Sequence, residues 1–196
     1  MRQIRLRPIM IAKKLFAVVI ATFMAISTCI GGGVSPEQIG LPVGKPAPQF
    51  TLRDQNGNEI SLAVLLKKGP VAVVFVRSAD WCLYCKMQLA QIQRNLKEIE
   101  STGGQIVSIS YDSTEKIRRF AGMRKISFPL LSDADSKTID AYAMRDTDSD
   151  NGSSNHGTFI VDQQGLIRAK PLVLNFSDRP AVDALVNALK AAKKEK

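Results

Sequence analysis

The run GPVAVVFVRS (Gly69–Ser78) holds unbroken apolar residues from Val71 to Val76, four of them valine. A strand this uniformly apolar has no face to offer water, so it belongs inside a sheet covered on both sides. ADWCLYC follows almost at once, and Leu89, Ile92, Leu96 and Ile99 then recur at spacings of three and four, the period of a helix with one buried stripe. A doubly buried strand that hands over directly to a helix restricts the chain to α/β architectures, with a sheet between helical layers. Cys82 and Cys85 sit at that hand-over.

The flanking segments keep to the same plan. QFTLRD alternates, QNGN carries the Asn56-Gly57 turn signal, and EISLAVLL follows, which predicts a β-hairpin or a strand, turn and strand-to-helix passage. Gly103 and Gly104 stop the helix that runs from Cys82 to about Ile99, and QIVSISYD is a second strand. Ser113 or Thr114 caps the helix STEKIRRFAGMRKI, with Glu115 in its first turn. SFPLLSD is a short extended piece and ADSKTIDAYAM a helix. HGTFIVDQQGLIRAK reads as strand, turn and strand, and DRPAVDALVNALKAAKKEK as the last helix. Strands alternating with helices, then a late hairpin, predict a mixed parallel and antiparallel sheet. The loop DTDSDNG (Asp146 to Gly152) resembles a calcium loop, but its glycine is one place late and no acid closes it. It is read as a solvated turn.

The chain has 196 residues, enough for one domain and a tail. Its N-terminus is basic (Arg2, Arg5, Arg7, Lys13, Lys14), then apolar from Leu15 to Ile26, then small through Ser27, Thr28, Cys29 and Gly31 to Gly33. That order is the layout of a secretory signal. Residues 1–34 are therefore expected to be a secretion signal or a membrane or lipid anchor. ISTC also resembles a lipoprotein box, with Cys29 as the lipidated residue. Ser35 to Pro48 reads as a linker or extended arm, and residues 49–196 as the folded domain. Export, to the periplasm or attached to a membrane through the N-terminus, is the expected localisation. The formal net charge of +9 includes the five positive charges of the signal, and without them it falls to about +4. The basic residues cluster on no recognisable motif, so nucleic acid is not an expected partner.

If Cys29 leaves with the signal or carries lipid, Cys82 and Cys85 are the domain's whole cysteine complement. Outside the cytosol their disulfide persists. A staple across so short a loop restrains the unfolded chain little. Zinc usually takes four ligands, and the chain offers one histidine and no second cysteine pair, so neither a metal nor a cofactor is expected. A redox couple suits the position best. Unpaired N–H groups and the positive end of the helix dipole favour a thiolate at Cys82. Cys85, one turn inside, is expected to be more buried and to resolve the species formed on Cys82.

The buried strand, DWCLYC opening a helix, the next strand and helix, and TFIVDQQG together resemble the thioredoxin-like fold. The opening VGKPAPQFTLRDQNGNEISL resembles the entry hairpin of the peroxiredoxin-like redoxins of the alkyl hydroperoxide reductase and thiol-specific antioxidant family. The likeness spans about Val43 to Lys190. It implies a three-layer sandwich, with a mixed central sheet, helices on both faces and an N-terminal β-hairpin. On the same alignment His156 stands where such proteins place a cis-proline or an arginine. It is then expected to face Cys82, with Gly157 and Thr158 supplying close backbone. Trp81 is either a platform beside the sulfur or a core residue, while Arg77 and Lys86 add positive potential that Asp80 opposes. Where the family carries Pro-x-x-x-Thr-x-x-Cys, this chain has Phe75 and Ala79, with Ser78 one place away. Leu83 stands where related redoxins often have proline, and VAVVFV lacks the carboxylate that thioredoxins bury near the second cysteine.

The expected function is an exported thiol-based oxidoreductase cycling Cys82 and Cys85, with protein thiol–disulfide exchange slightly ahead of hydroperoxide reduction. Either activity needs an external electron donor. A non-catalytic scaffold or binding domain with a structural disulfide is the third alternative.

Overall fold

In β3 (Val71–Phe75) every residue is buried, and the alternation of its side chains divides the core in two. Ala72 and Val74 face one apolar cluster, and Val71, Val73 and Phe75 face the other. The computed structural model describes residues 39–170 and 179–194. The segment expected to be a secretion signal or anchor, with Cys29, lies outside the described residues.

β3 pairs in parallel with β4 (Gln105–Ser110), which pairs in parallel with β5 (Leu130–Ser132). The remaining pairings are antiparallel: β1 (Thr51–Asp54) with β2 (Glu59–Ser61) and with β5, and β6 (Gly157–Val161) with β3 and with β7 (Ile167–Ala169). The sheet order is β2-β1-β5-β4-β3-β6-β7. One face is covered by α2 (Leu83–Arg94), α3 (Leu96–Ser101), α4 (Thr114–Arg124) and α6 (Arg179–Lys194), through residues such as Leu89, Ile99, Phe120 and Leu189. The other carries α1 (Leu62–Leu66) and α5 (Lys137–Ala141), with Phe75, Tyr142 and Phe159 stacked at its centre. This is the three-layer α/β sandwich expected from the sequence, with its mixed sheet and N-terminal hairpin.

The hairpin turns as the Asn-Gly signal predicts. Gly57 adopts φ 88°, and the Asp54 carboxylate accepts from the Asn56 and Asn58 amides. Gln55 then docks the hairpin, donating to the Phe128 carbonyl and accepting from Leu130 N–H. Residues 39–48 run against the β6–β7 hairpin, with Ala47 N–H donating to the Gly165 carbonyl and Gly44 N–H to Ile167.

One element differs from expectation. The helix from Cys82 to Ile99 is two helices, broken at Asn95, whose backbone leaves the helical region at φ −105°, ψ 11°. Its side chain donates to the Gln91 carbonyl at 2.9 Å, occupying an acceptor at the end of α2. The apolar period runs through the break because α2 and α3 face the same cluster.

Candidate active site

The chain leaves β3 at Phe75 and reaches α2 through a loop that ends on Cys82. Cys82 is the N-cap of α2, with extended backbone (φ −83°, ψ 105°), and its Sγ accepts from the Cys85 amide at 3.3 Å. The sulfur thus occupies the place usually filled by a Ser or Asp oxygen. Cys82 and Cys85 are joined as a disulfide with their Cα atoms 5.3 Å apart. Cys85 is wholly buried and Cys82 is 6% exposed, so an attacking partner reaches Cys82 first.

The loop is held from the neighbouring strand. Asp112, just past the end of β4, is buried and accepts from Ser78 Oγ at 2.8 Å, Ala79 N–H at 2.6 Å and Ser110 Oγ at 2.9 Å. Ser78 Oγ in turn accepts from the amides of Asp80 and Trp81. One carboxylate therefore sets the path of residues 78–81 and so the position of Cys82. Ser78 gives its hydroxyl proton to Asp112 and is fully buried, so it does not replace the missing threonine as a donor to substrate.

A second group lines the other side. Trp81 is 44% exposed, which places it at the rim of the site and not in the core. Its indole N–H donates to Tyr111 Oη at 2.8 Å, and the Arg77 guanidinium lies 5.0 Å from its ring centre. Arg77 pairs with Asp146 at 3.4 Å, and its Nε–H is buried without a hydrogen-bond partner among the described residues. Leu83, Tyr84 and Met87 are exposed and continue Trp81 into an apolar rim.

His156 Nε2 lies 3.8 Å from Cys85 Sγ. A ring nitrogen of His156 also lies within 4.8 Å of Cys82 Sγ, the sulfur it is expected to face, and its hydrogen-bond-range contact is to Cys85. The reason is topological: β6 pairs with β3, and the residue before Gly157 falls beside the buried start of α2. Burial pushes the His156 imidazole below its ordinary value and the Arg77 charge adds to this, with Asp146 partly opposing. Neutral imidazole has a lone pair with which to take a proton from a thiol.

The other expected residues are placed as follows. Thr158 is buried in β6 opposite Val74, and Gly157 makes its closest approach to Met144, whose Cε would lie 2.6 Å from an added Cβ. Asp80 does not bias Cys82 freely: Lys116 at 3.2 Å and Arg119 at 2.7 Å neutralise it and hold its carboxyl below the usual range. In the polar loop, Asp146 is engaged by Arg77 and by Asp148 N–H. Among the described residues, the group of His, Cys or acidic side chains with metal-ligand spacing is Cys82, Cys85 and His156.

Comparison with known proteins fits this geometry. The AhpC/TSA family model matches residues 43–170. The chain belongs to the AhpC/TSA family. Among its relatives is the chloroplastic peroxiredoxin Q of Sedum lineare, 30% identical over 76% of this chain and 78% of that one. Peroxiredoxin Bcp of Escherichia coli is 29% identical over 65% of this chain and 83% of its own length. The crystal structure of peroxidoxin BcpB from Mycobacterium tuberculosis superposes with a TM-score of 0.66 at 24% identity, covering 78% of this chain and 97% of that one. The fold of this AhpC/TSA member is thus the thioredoxin-like one.

Asp112 and Tyr111 were not singled out from the sequence. A signal was present, since loops after adjacent parallel strands meet at one end of a sheet. Tyr111 and Asp112 follow β4 as Arg77 to Asp80 follow β3.

Two outcomes follow from these contacts. Asp112→Ala strands the Ser78, Ala79 and Ser110 donors and should cost about 2–4 kcal/mol in denaturant unfolding. It should also slow alkylation of reduced Cys82 at neutral pH. For His156, the folded pKa lies below the unfolded one, so the unfolded chain binds more protons in the acid range and stability falls as pH drops below about 6.5. His156→Asn should flatten that part of a melting-temperature profile taken from pH 7.5 to 5.5.

Proposed function

We propose that this protein is a thiol peroxidase, with Cys82 as the peroxidatic thiolate and Cys85 as its resolving partner. The observation that carries the reading is the capped sulfur. Cys82 is the more accessible of the two, at a helix N-terminus, with Cys85 within bonding reach and a neutral base beside Cys85. Membership of a family whose relatives are peroxiredoxins supports peroxide as the substrate and a role in antioxidant defence.

In the first step the Cys82 thiolate attacks the terminal oxygen of a hydroperoxide. The S–O bond forms, the O–O bond breaks, and the departing alkoxide takes a proton to become an alcohol, or water from hydrogen peroxide. The Arg77 guanidinium, part-exposed and set against the Trp81 ring, is the donor best suited to receive a peroxide oxygen, in the role that threonine does not fill here. In the second step His156 Nε2 takes the Cys85 proton. The Cys85 sulfur attacks the Cys82 sulfenic acid, the disulfide forms, and hydroxide leaves as water. An external dithiol then reduces the disulfide. The apolar rim of Trp81, Leu83, Tyr84 and Met87 offers that donor a contact surface. Export remains part of the proposal, on the basic, apolar, small order of the first residues.

Thiol–disulfide exchange, slightly preferred from the sequence, is now the second reading. The observation in its favour is that Phe75 and Ala79 replace the peroxide-holding proline and threonine while Ser78 is committed to Asp112.

Trp81 is the only tryptophan, so its fluorescence reports on Cys82. Mixing the reduced protein with one equivalent of hydroperoxide should consume two thiols and form the disulfide, and Cys82→Ser should abolish this. His156→Ala should leave the first step intact and slow disulfide closure about a hundredfold, so that dimedone traps the sulfenic acid. Thiol loss no faster than that of free cysteine, together with rapid insulin reduction, would transfer the assignment to exchange.

A further inference from the structure

Three soft-metal donors from two distant parts of the chain converge in this fold. Cys82 Sγ, Cys85 Sγ and a ring nitrogen of His156 all lie within 4.8 Å of one another. His156 is 71 residues beyond Cys85, and its Nε2 is 3.8 Å from that sulfur. For an ion with three bonds of about 2.0–2.3 Å, trigonal geometry sets neighbouring donors roughly 3.5–4 Å apart. The His156–Cys85 spacing already has that value.

We infer that the reduced dithiol and His156 form a three-coordinate site for Cu(I). Two thiolates and an imidazole are donors that select soft ions, chiefly Cu(I) and Zn(II). Zn(II) completes a tetrahedral set. Among the described residues no fourth histidine, cysteine or carboxylate joins the three. Cu(I) is satisfied by three donors and by thiolate-rich surroundings. Cys85 is wholly buried and Cys82 nearly so, which shields the ion from water. The cluster escaped the sequence reading, which looked for a second cysteine pair and found a single histidine; the pairing of β6 with β3 supplies the third donor.

Loading is open to the dithiol alone. Cys82 binds as the thiolate it already is, Cys85 releases its proton to solvent, two S–Cu bonds and one N–Cu bond form, and copper stays Cu(I). In the disulfide both sulfurs are committed to each other. Copper binding and disulfide formation therefore compete for one pair of atoms, and the oxidation state of the pair gates the metal. This goes beyond the peroxidase reading and does not require it.

The test is an anaerobic competition between the reduced, metal-free full chain and the coloured Cu(I) complex of bicinchoninate. The reduced protein should withdraw one Cu(I) per chain, and the same protein carrying its disulfide should withdraw none, a control that needs no substitution. His156→Ala, with folding checked by circular dichroism, should weaken binding at least about tenfold. Copper K-edge absorption should report two sulfurs and one nitrogen, with the nitrogen lost in that variant. The inference is overturned if the reduced protein takes no more copper than Cys82→Ser/Cys85→Ser. It is equally overturned if His156→Ala retains full affinity, or if Zn(II) displaces Cu(I) from the pair. Thiol loss to peroxide, measured on the same metal-free preparation, decides the peroxidase reading separately.

Discussion

The first amide groups of α2 point out of the helix without backbone acceptors, and Cys82 Sγ takes the one offered by Cys85. A negative charge on that sulfur is stabilised by the hydrogen bond and by the positive end of the helix. The contact also fixes where the second sulfur lies, since the donor is the backbone of Cys85 itself. The two sulfurs and the amide that Cys82 Sγ accepts from are thus held within one turn of helix. The chemistry proposed above depends on that turn being in register with the end of β3.

Register is maintained from outside the helix. Asp112 binds the loop backbone at Ala79 and its side chain at Ser78, so the parallel pairing of β4 with β3 is transmitted to the approach to Cys82. The antiparallel pairing of β6 with β3 brings His156 to Cys85 in the same way. Charges are arranged so that few bear on the sulfur uncompensated: Asp80 is tied to Lys116 and Arg119, and Asp146 to Arg77. What remains is a neutral imidazole, an arginine N–H without a partner among the described residues, and an apolar rim. That set suits a small polar oxidant at Cys82 and a larger apolar partner above it.

Much of this was legible in the sequence because it is local. The apolar run of β3, the Asn56-Gly57 turn and the Cys-x-x-Cys pair at a strand-to-helix passage each carry their meaning within a few residues. The break at Asn95 did not show, because Leu96 and Ile99 continue the period of Leu89 and Ile92 across it. Asp112 did not show because the loop residues it holds, Ser78 and Ala79, are more than thirty residues away and a lone aspartate after a strand has no periodicity. His156 was expected beside Cys82, and the structure sets its ring among both sulfurs, with Nε2 3.8 Å from Cys85 Sγ, a detail of ring direction that sequence does not carry. Ser78 was noticed as a substitute donor, and only the position of Asp112 shows that its proton is already committed.

The central claim is that reduced Cys82 is an anion at neutral pH because it caps α2. Thiolate absorbance, followed against pH in the folded Cys29→Ser/Cys85→Ser variant, isolates that sulfur. The account predicts a midpoint well below the ordinary thiol value of about 8.5. A midpoint at or above that value would contradict it.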